Sequence, residues 1–244
     1  MSEREGIDGS WTFQPSPDEA LVFVPPDGCA DLMLRFSQGR FREAVLIEPA
    51  ERYELARIAP NDALFGVRFE LGLGGICLKR RELVERELGS RFADEDPRDV
   101  ATVQVALGEM ALSFLERWGR SRPDWLGPAL AELRARRGNV SVRELARRTG
   151  VTERTLHRGF NDWVGASPKL LGRTLRSRAA VELACGSGAL VEVAAELGYA
   201  DQAHLSRELR ELWGVTPAGV RAGVAGPAGV VVSDFFKTTT AASP

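Results

Sequence analysis

Two stretches of this 244-residue chain repeat each other at a spacing of 48–49 residues, and both are interrupted by a glycine at the same point. The first passes through Leu145-Ala146, Gly150, Leu156, Arg158, Phe160, Gly165 and Ser167-Pro168. The second passes through Val193-Ala194, Gly198, Leu205, Arg207, Leu209, Gly214 and Thr216-Pro217. An internal repeat of this kind fixes the architecture before any single residue does. Each copy reads as helix, tight turn, helix. Ala146 and Ala194 are small enough to let a second helix cross close by. Gly150 and Gly198 stand where the first helix must stop, because glycine enters the left-handed region without steric cost. Val151 and Tyr199 are apolar plugs beyond the stop, and Thr152 and Asp201 are good N-caps for the helix that follows.

The second helix of each copy has an inward and an outward side. Leu156 and Phe160, like Leu205 and Leu209, are four residues apart and share the inward face. The outward face then carries Arg154, His157, Arg158 and Asn161 in the first copy. In the second it carries Gln202, Ala203, Ser206, Arg207 and Arg210. These are residue types that read base edges in a major groove: arginine forks onto guanine, and glutamine or asparagine onto adenine. The bland alternative is a helical domain with solvated polar faces. Two matched copies, each glycine-stopped, capped and net basic on the presented side, favour DNA. Between the copies, Pro168 to about Ala184 keeps a helical period through Leu171, Leu175 and Ala179. Some 17 residues would span roughly 25 Å. Such a spacer could set two recognition helices about one DNA turn, ~34 Å, apart.

Charge agrees with this division. The chain as a whole carries a formal net charge of −2. Basic residues outnumber acidic ones from Pro128 to Gly223 and are outnumbered elsewhere, so an acidic part precedes one that faces a polyanion. Lys169 is the only lysine of that basic stretch, and arginine suits bidentate phosphate and guanine contacts.

Residues 128–222 resemble the AraC/XylS family of bacterial transcriptional regulators. The run Gly198-Tyr199-Ala200-Asp201-Gln202-Ala203-His204-Leu205-Ser206-Arg207, continued by Trp213-Gly214-Val215-Thr216-Pro217 and Arg221, looks like that family's signature. The resemblance implies a bilobal DNA-binding domain of seven helices. It implies base contacts from Arg154, His157 and Arg158 and from Gln202, Ala203, Ser206 and Arg207. Two departures stand out: Gly159 inside the first recognition helix, which should cost roughly 0.5–1 kcal/mol against alanine, and Leu209 in place of the usual phenylalanine.

The expected fold class is α+β in two domains: a β-rich N-terminal domain with added helices, and an all-α C-terminal domain with two helix-turn-helix motifs at about 142–164 and 190–213. Domain one covers 1–122 and domain two 123–222, with Ser121 to Pro128 as linker and a flexible tail at 223–244. In that tail Val230-Val231-Val232 and Phe235-Phe236 could dock on an apolar surface. From Trp11 to Phe69, Leu21–Val24, Leu32–Leu34, Val45–Ile47 and Leu64–Val67 alternate with turn signals such as Pro25-Pro26-Asp27-Gly28. This predicts a small antiparallel sheet curled into a barrel or sandwich. The stretch Val24 to Leu32 resembles, more weakly, the cupin-like sensor domain found ahead of some such regulators. Helices are predicted at 79–89, ending at Gly89, and at 98–118. The stripe Val100, Val103, Leu107, Met110, Phe114, Trp118 on the latter suits packing on the sheet or a homodimer seam.

Chemistry is sparse in the first domain. Asp27, Asp31, Arg35 and Arg68, with Trp11, could fix a polar effector; alternatively Asp27-Gly28 is a turn and Asp31 pairs with an arginine. The chain has two histidines, His157 and His204, so the first domain has no imidazole for a triad or a metal site. Cys29, Cys77 and Cys185 are widely spaced and odd in number, which suggests a reducing compartment, and Cys29 reads as a small buried hydrophobe. Some DNA-repair methyltransferases pair a similar module with a reactive cysteine, but these thiols lack zinc-like spacing. A purely architectural DNA binder is the third class. No catalytic residue, metal or cofactor is expected. The expected partners are double-stranded DNA, RNA polymerase, a small-molecule effector and a second copy through the 98–118 helix, with no membrane partner. No signal peptide or spanning segment is evident, so the expected location is cytoplasmic.

Overall fold

Alternating side chains become strands in the first part of the chain, and they bury one face. The computed structural model describes residues 6–14, 21–119, 122–186, 188–223 and 226. In it β3 (Asp31–Ser37) buries Leu32, Leu34 and Phe36, and β6 (Asp62–Phe69) buries Phe65, Val67 and Phe69, all in one core. With β1 (Ile7–Phe13) and β4 (Arg40–Ile47) they form an antiparallel sheet in the order β1-β6-β3-β4. The sheet stays open, where the sequence suggested a barrel or sandwich. Helices supply the second layer instead. Val84, Leu88 and Phe92 of α2 (Arg81–Phe92) and Val103, Leu107 and Phe114 of α3 (Val100–Trp118) seal the same core. A short α1 (Gly75–Leu78) precedes them. Helix α2 runs past Gly89 to Phe92, because Leu88 and Phe92 both reach the core and outweigh the modest helix cost of one glycine.

The α3 stripe is used within the protomer. Val103, Leu107 and Phe114 are fully buried, and Met110 and Trp118 pack against the same core, leaving Val100 at the helix start partly exposed. The stripe therefore packs on the sheet, and the seam it could have formed is occupied.

A second sheet, β2 (Leu21–Val24) with β5 (Glu54–Arg57), is a two-stranded antiparallel ribbon. A lone ribbon is marginal in water. This one lies on the helical part of the chain: Phe23 is buried in the same cluster as Leu205, Leu209 and Trp213, with Tyr53 packed beside it. The Tyr53 backbone N–H donates to the Leu212 carbonyl at 2.7 Å.

From residue 126 the chain is helical: α4 (Leu126–Ala135), α5 (Val142–Thr149), α6 (Glu153–Trp163), α7 (Pro168–Ala184), α8 (Leu190–Glu196), α9 (Gln202–Trp213) and α10 (Pro217–Arg221). Helix α4 already includes Pro128, and Leu126 is fully buried, so the connection is shorter than 121–128. Helices α4–α6 form one lobe and α8–α10 another, with α7 between them. The β-rich part reaches both. Cys29 and Leu71 share a core with Leu130, Leu145, Leu156 and Phe160 of the first lobe, and Phe23 belongs to the core of the second. The expected loose tail and its Val230–Phe236 segment fall outside the described residues, apart from Gly223 and Gly226.

One tight backbone-to-backbone junction between the two parts is at Gly75. A Cβ there would lie 2.4 Å from the backbone carbon and oxygen of Trp163, at the end of α6. Overpacking a well-filled site typically costs about 1–3 kcal/mol. Gly75→Ala should therefore lower the urea midpoint by an amount of that order with little change in slope. Gly119→Ala, which meets nothing within 4 Å, should leave it in place.

Candidate DNA-binding surface

Local sequence builds the two recognition helices as the repeat requires. In the first copy the Ser141 hydroxyl accepts from the Glu144 N–H at 3.1 Å and starts α5. The helix stops at Gly150, which adopts φ +70°. The Thr152 hydroxyl then accepts from the Thr155 N–H at 3.1 Å and starts α6. In the second copy α8 is followed by Gly198 at φ +71°, and the Asp201 carboxylate accepts from the His204 N–H at 2.6 Å to start α9. Each such cap satisfies an orphan donor and contributes about 1 kcal/mol.

The inward residues are sealed: Leu156, Phe160, Leu205 and Leu209 are all fully buried. Leu209 thus fills the core position where the resemblance implied phenylalanine. Gly159 also has a reason. A Cβ at that position would sit 2.3 Å from the ring of Trp125, which packs into the first lobe's core. The helix accepts the cost of a glycine in order to admit an indole from 34 residues upstream.

On the outward side Arg154, His157, Arg158 and Asn161 are all exposed, and the Arg158 side chain, 85% accessible, has Asp162 at 3.8 Å. On α9, Gln202, Ala203, Arg207 and Arg210 are exposed, whereas Ser206 is half-buried. Between the lobes a cleft of about 540 Å³ is lined by Lys169, Arg173, Arg176, His204 and Arg207, with Glu208 and Glu211. Sequence reading passed over Arg173 and Arg176, although their spacing places both on the side of α7 that meets α9. Helix α7 begins with Pro168 in its first turn and the Ser167 hydroxyl accepting from the Leu170 N–H, and it has the 17 residues expected.

A family model described as a helix-turn-helix domain matches residues 145–223. The chain carries a helix-turn-helix domain over these residues, which span both repeated motifs. Among solved structures, an AraC-type transcriptional regulator from Chromobacterium violaceum is 27% identical over 42% of this chain and 94% of its own, with a TM-score of 0.38. The C-terminal domain of AraT, a response regulator from Geobacillus stearothermophilus, is 21% identical over 42% of this chain and 87% of its own, at 0.39. ToxT from Vibrio cholerae is 10% identical over 89% of this chain and 98% of its own, at 0.44. A search of curated proteins found no match.

Ahead of the helix-turn-helix domain, the residues proposed for an effector divide into two groups. Arg68 lies 2.9 Å from Asp27 and 3.3 Å from Asp31, and the Trp11 indole N–H donates to Asp31 at 2.9 Å. These four come together. Arg35 does not: it is paired with Glu43 at 2.8 Å and Asp62 at 3.6 Å. Its place at residue 35 of β3, four residues along from Asp31, carries it toward the other end of the strand. The Asp27 carboxylate also accepts from the Cys29 N–H at 2.9 Å, so Asp27 makes the turn that Asp-Gly suggests. Burial raises the Asp27 carboxyl above its ordinary range against the pull of Arg68. The whole loop from Pro25 to Ala30 is buried, and Gly28 sits against Leu171 and Thr174 of α7. This motif is a docking loop whose charges satisfy one another.

The thiols are equally unsuited to chemistry. Burial, then the neighbouring Asp27 charge, pushes Cys29 well above its ordinary pKa, and burial pushes Cys77 up to about 12. A nucleophilic thiol needs the opposite shift and an exposed position. Cys185 is the exposed one. At pH 8 an aromatic disulfide reagent should label Cys185 rapidly and Cys29 and Cys77 only after denaturation. Fast labelling of Cys29 in the native protein would refute this.

Proposed function

We propose that the protein is a sequence-specific bacterial transcription regulator whose single chain reads two successive major-groove segments of one operator. The observation that carries this is the pair of exposed arrays on capped, glycine-stopped helices: Arg154, His157, Arg158 and Asn161 on α6, and Gln202, Ala203, Arg207 and Arg210 on α9, with Ser206 at its margin. A 17-residue α7, roughly 25 Å long, separates them. That length suits helices placed about one turn of DNA, ~34 Å, apart. Lys169, exposed at the first turn of α7 in the cleft between the lobes, is assigned to phosphate. RNA polymerase is the partner such a regulator acts on, as activator, and the protein works in the cytoplasm on the nucleoid. It is not an enzyme.

The division at about residue 122 is retained, with the first part regulatory. Effector binding is assigned to a cavity of about 320 Å³ where the two parts meet, lined by Asp27, Cys29 and Leu71 from one and by Arg134, Arg137 and Arg178 from the other. It touches α7, so occupancy there would bear on the helix that spaces the lobes. A homodimer through α3 uses its outward face, where Val105 is 54% exposed. Among the described residues no helix is long and apolar enough to cross a membrane.

Sites selected in vitro from random duplexes should be bipartite. On such a site Arg207→Ala should cost roughly 1–3 kcal/mol while affinity for random DNA hardly changes, because a base contact is lost. Lys169→Ala should weaken both alike and make the salt dependence shallower. Equal loss on specific and random DNA for Arg207→Ala would remove it from the reading surface. A panel of small carboxylic acids and amines, screened by thermal shift on the full chain, should contain compounds whose shift is abolished by Arg178→Ala. An architectural binder without effector predicts no shift at all.

A further inference from the structure

Among the described residues Glu208 is the one carboxylate in the buried polar set of the helical part, 6% exposed, and it lies on α9 next to Arg207. Its oxygens accept from three side chains. The Arg176 guanidinium reaches both at 3.0 and 3.1 Å, Arg173 reaches one at 3.4 Å, and the Tyr199 hydroxyl donates to the other at 3.0 Å. Arg176 also stacks over the Tyr199 ring, 4.5 Å from its centre. Tyr199 comes from the turn of the second motif, and both arginines come from α7. One side chain therefore ties three elements together: the spacer helix, the turn and the reading helix.

The remaining α7–α9 contact is also directional. The Trp213 indole N–H donates to the Ser177 hydroxyl at 3.0 Å, and Arg173 bonds Glu211 at 3.0 Å. Apolar surfaces alone would let α9 slide or rotate against α7 at small cost. A guanidinium fork on a carboxylate holds one orientation. Buried ion pairs add little net stability over a well-packed apolar substitute, and their best-attested use is to fix register. Lobe one is joined to α7 by the short connection from Val164 to Ser167; lobe two is held on α7 by α8, by α10, whose Arg221 reaches the Ala184 carbonyl at 3.4 Å, and by this lateral contact, the one that bears directly on α9.

We propose that Glu208 is a positioning residue that sets the phase between the two recognition helices, and so fixes the spacing of the two half-sites the protein accepts. It touches no base. It acts by holding α9, and with it Gln202 and Arg207, at one angle on α7. This inference rests on the two-segment reading proposed above.

The test uses the full chain and a bipartite duplex selected by the wild type, together with versions carrying one base pair more or fewer between the half-sites. One base pair rotates a half-site by about a tenth of a turn. The wild type should lose roughly tenfold or more in affinity on each altered duplex, the size of one mismatched contact. Glu208→Gln keeps the volume but removes the charge that both arginines share. It should bind the three duplexes within about threefold of one another, while any change in affinity for random DNA from the released arginine charges falls on all three alike. Should Glu208→Gln lose its cooperative thermal transition, Arg176→Lys, which keeps the charge and loses the fork, is read instead with the same expectation. A variant that is uniformly weaker but keeps the wild-type spacing ratio overturns the phase-setting role and leaves the two-segment reading intact. A wild type that selects no bipartite site overturns both.

Discussion

Everything in the helical half depends on how closely other elements approach α7. Its buried positions include Gly172, Thr174, Ser177, Ala179, Ala180 and Ala184, nearly all small. Small side chains bring neighbouring backbones within contact on several sides at once, which an amphipathic surface helix does not permit. The first lobe, the second lobe and the Asp27-Gly28 loop each take one of these sides. A helix covered on several sides loses a single apolar stripe. Its sequence still reads as a helix from its Pro and Ser start signals and its length, but its neighbours cannot be read from periodicity alone.

That distinction explains what was legible. The two helix-turn-helix motifs are written in local signals: a cap, a four-residue apolar step and a glycine in the left-handed region, all within about ten residues of one another. Their presented faces follow directly, with Ser206 the one residue less exposed than its spacing suggests. Long-range contacts were not legible. Gly159 reads as a defect until Trp125 is seen lying on it. That Arg68 sits between Asp27 and Asp31 could not be read locally, because it comes from a strand more than thirty residues away. The ribbon of β2 and β5 offers no local hint that Phe23 belongs to the core of the second lobe. The α3 stripe suited the sheet or a second copy, and it is the sheet that covers it.

The polar joints share a logic with the apolar ones. The β-rich part and the helical part meet where backbone groups lack partners of their own. The last carbonyls of a helix have no intrahelical donor. In α9 one of these, that of Leu212, is satisfied by the Tyr53 N–H of the ribbon. The β-rich part thus completes the end of α9 and stacks Phe23 and Tyr53, rings 5.8 Å apart, beside it. The first recognition helix ends against Gly75, with Lys79 paired to Asp162 at 2.6 Å.

These two contacts place the β-rich part at the C-terminal ends of α6 and α9 and leave their exposed arrays clear of it. In the proposed function its influence on DNA would pass through the angle between the lobes, because it covers neither array. Glu208 holds that same angle from within the helical part. The Tyr53–Leu212 bond lies one turn of α9 beyond Glu208, so a shift of the ribbon would load the carboxylate network before it reached the bases. Specificity and regulation would then meet at one buried side chain, whose loss would leave Arg173, Arg176 and Tyr199 without their shared acceptor.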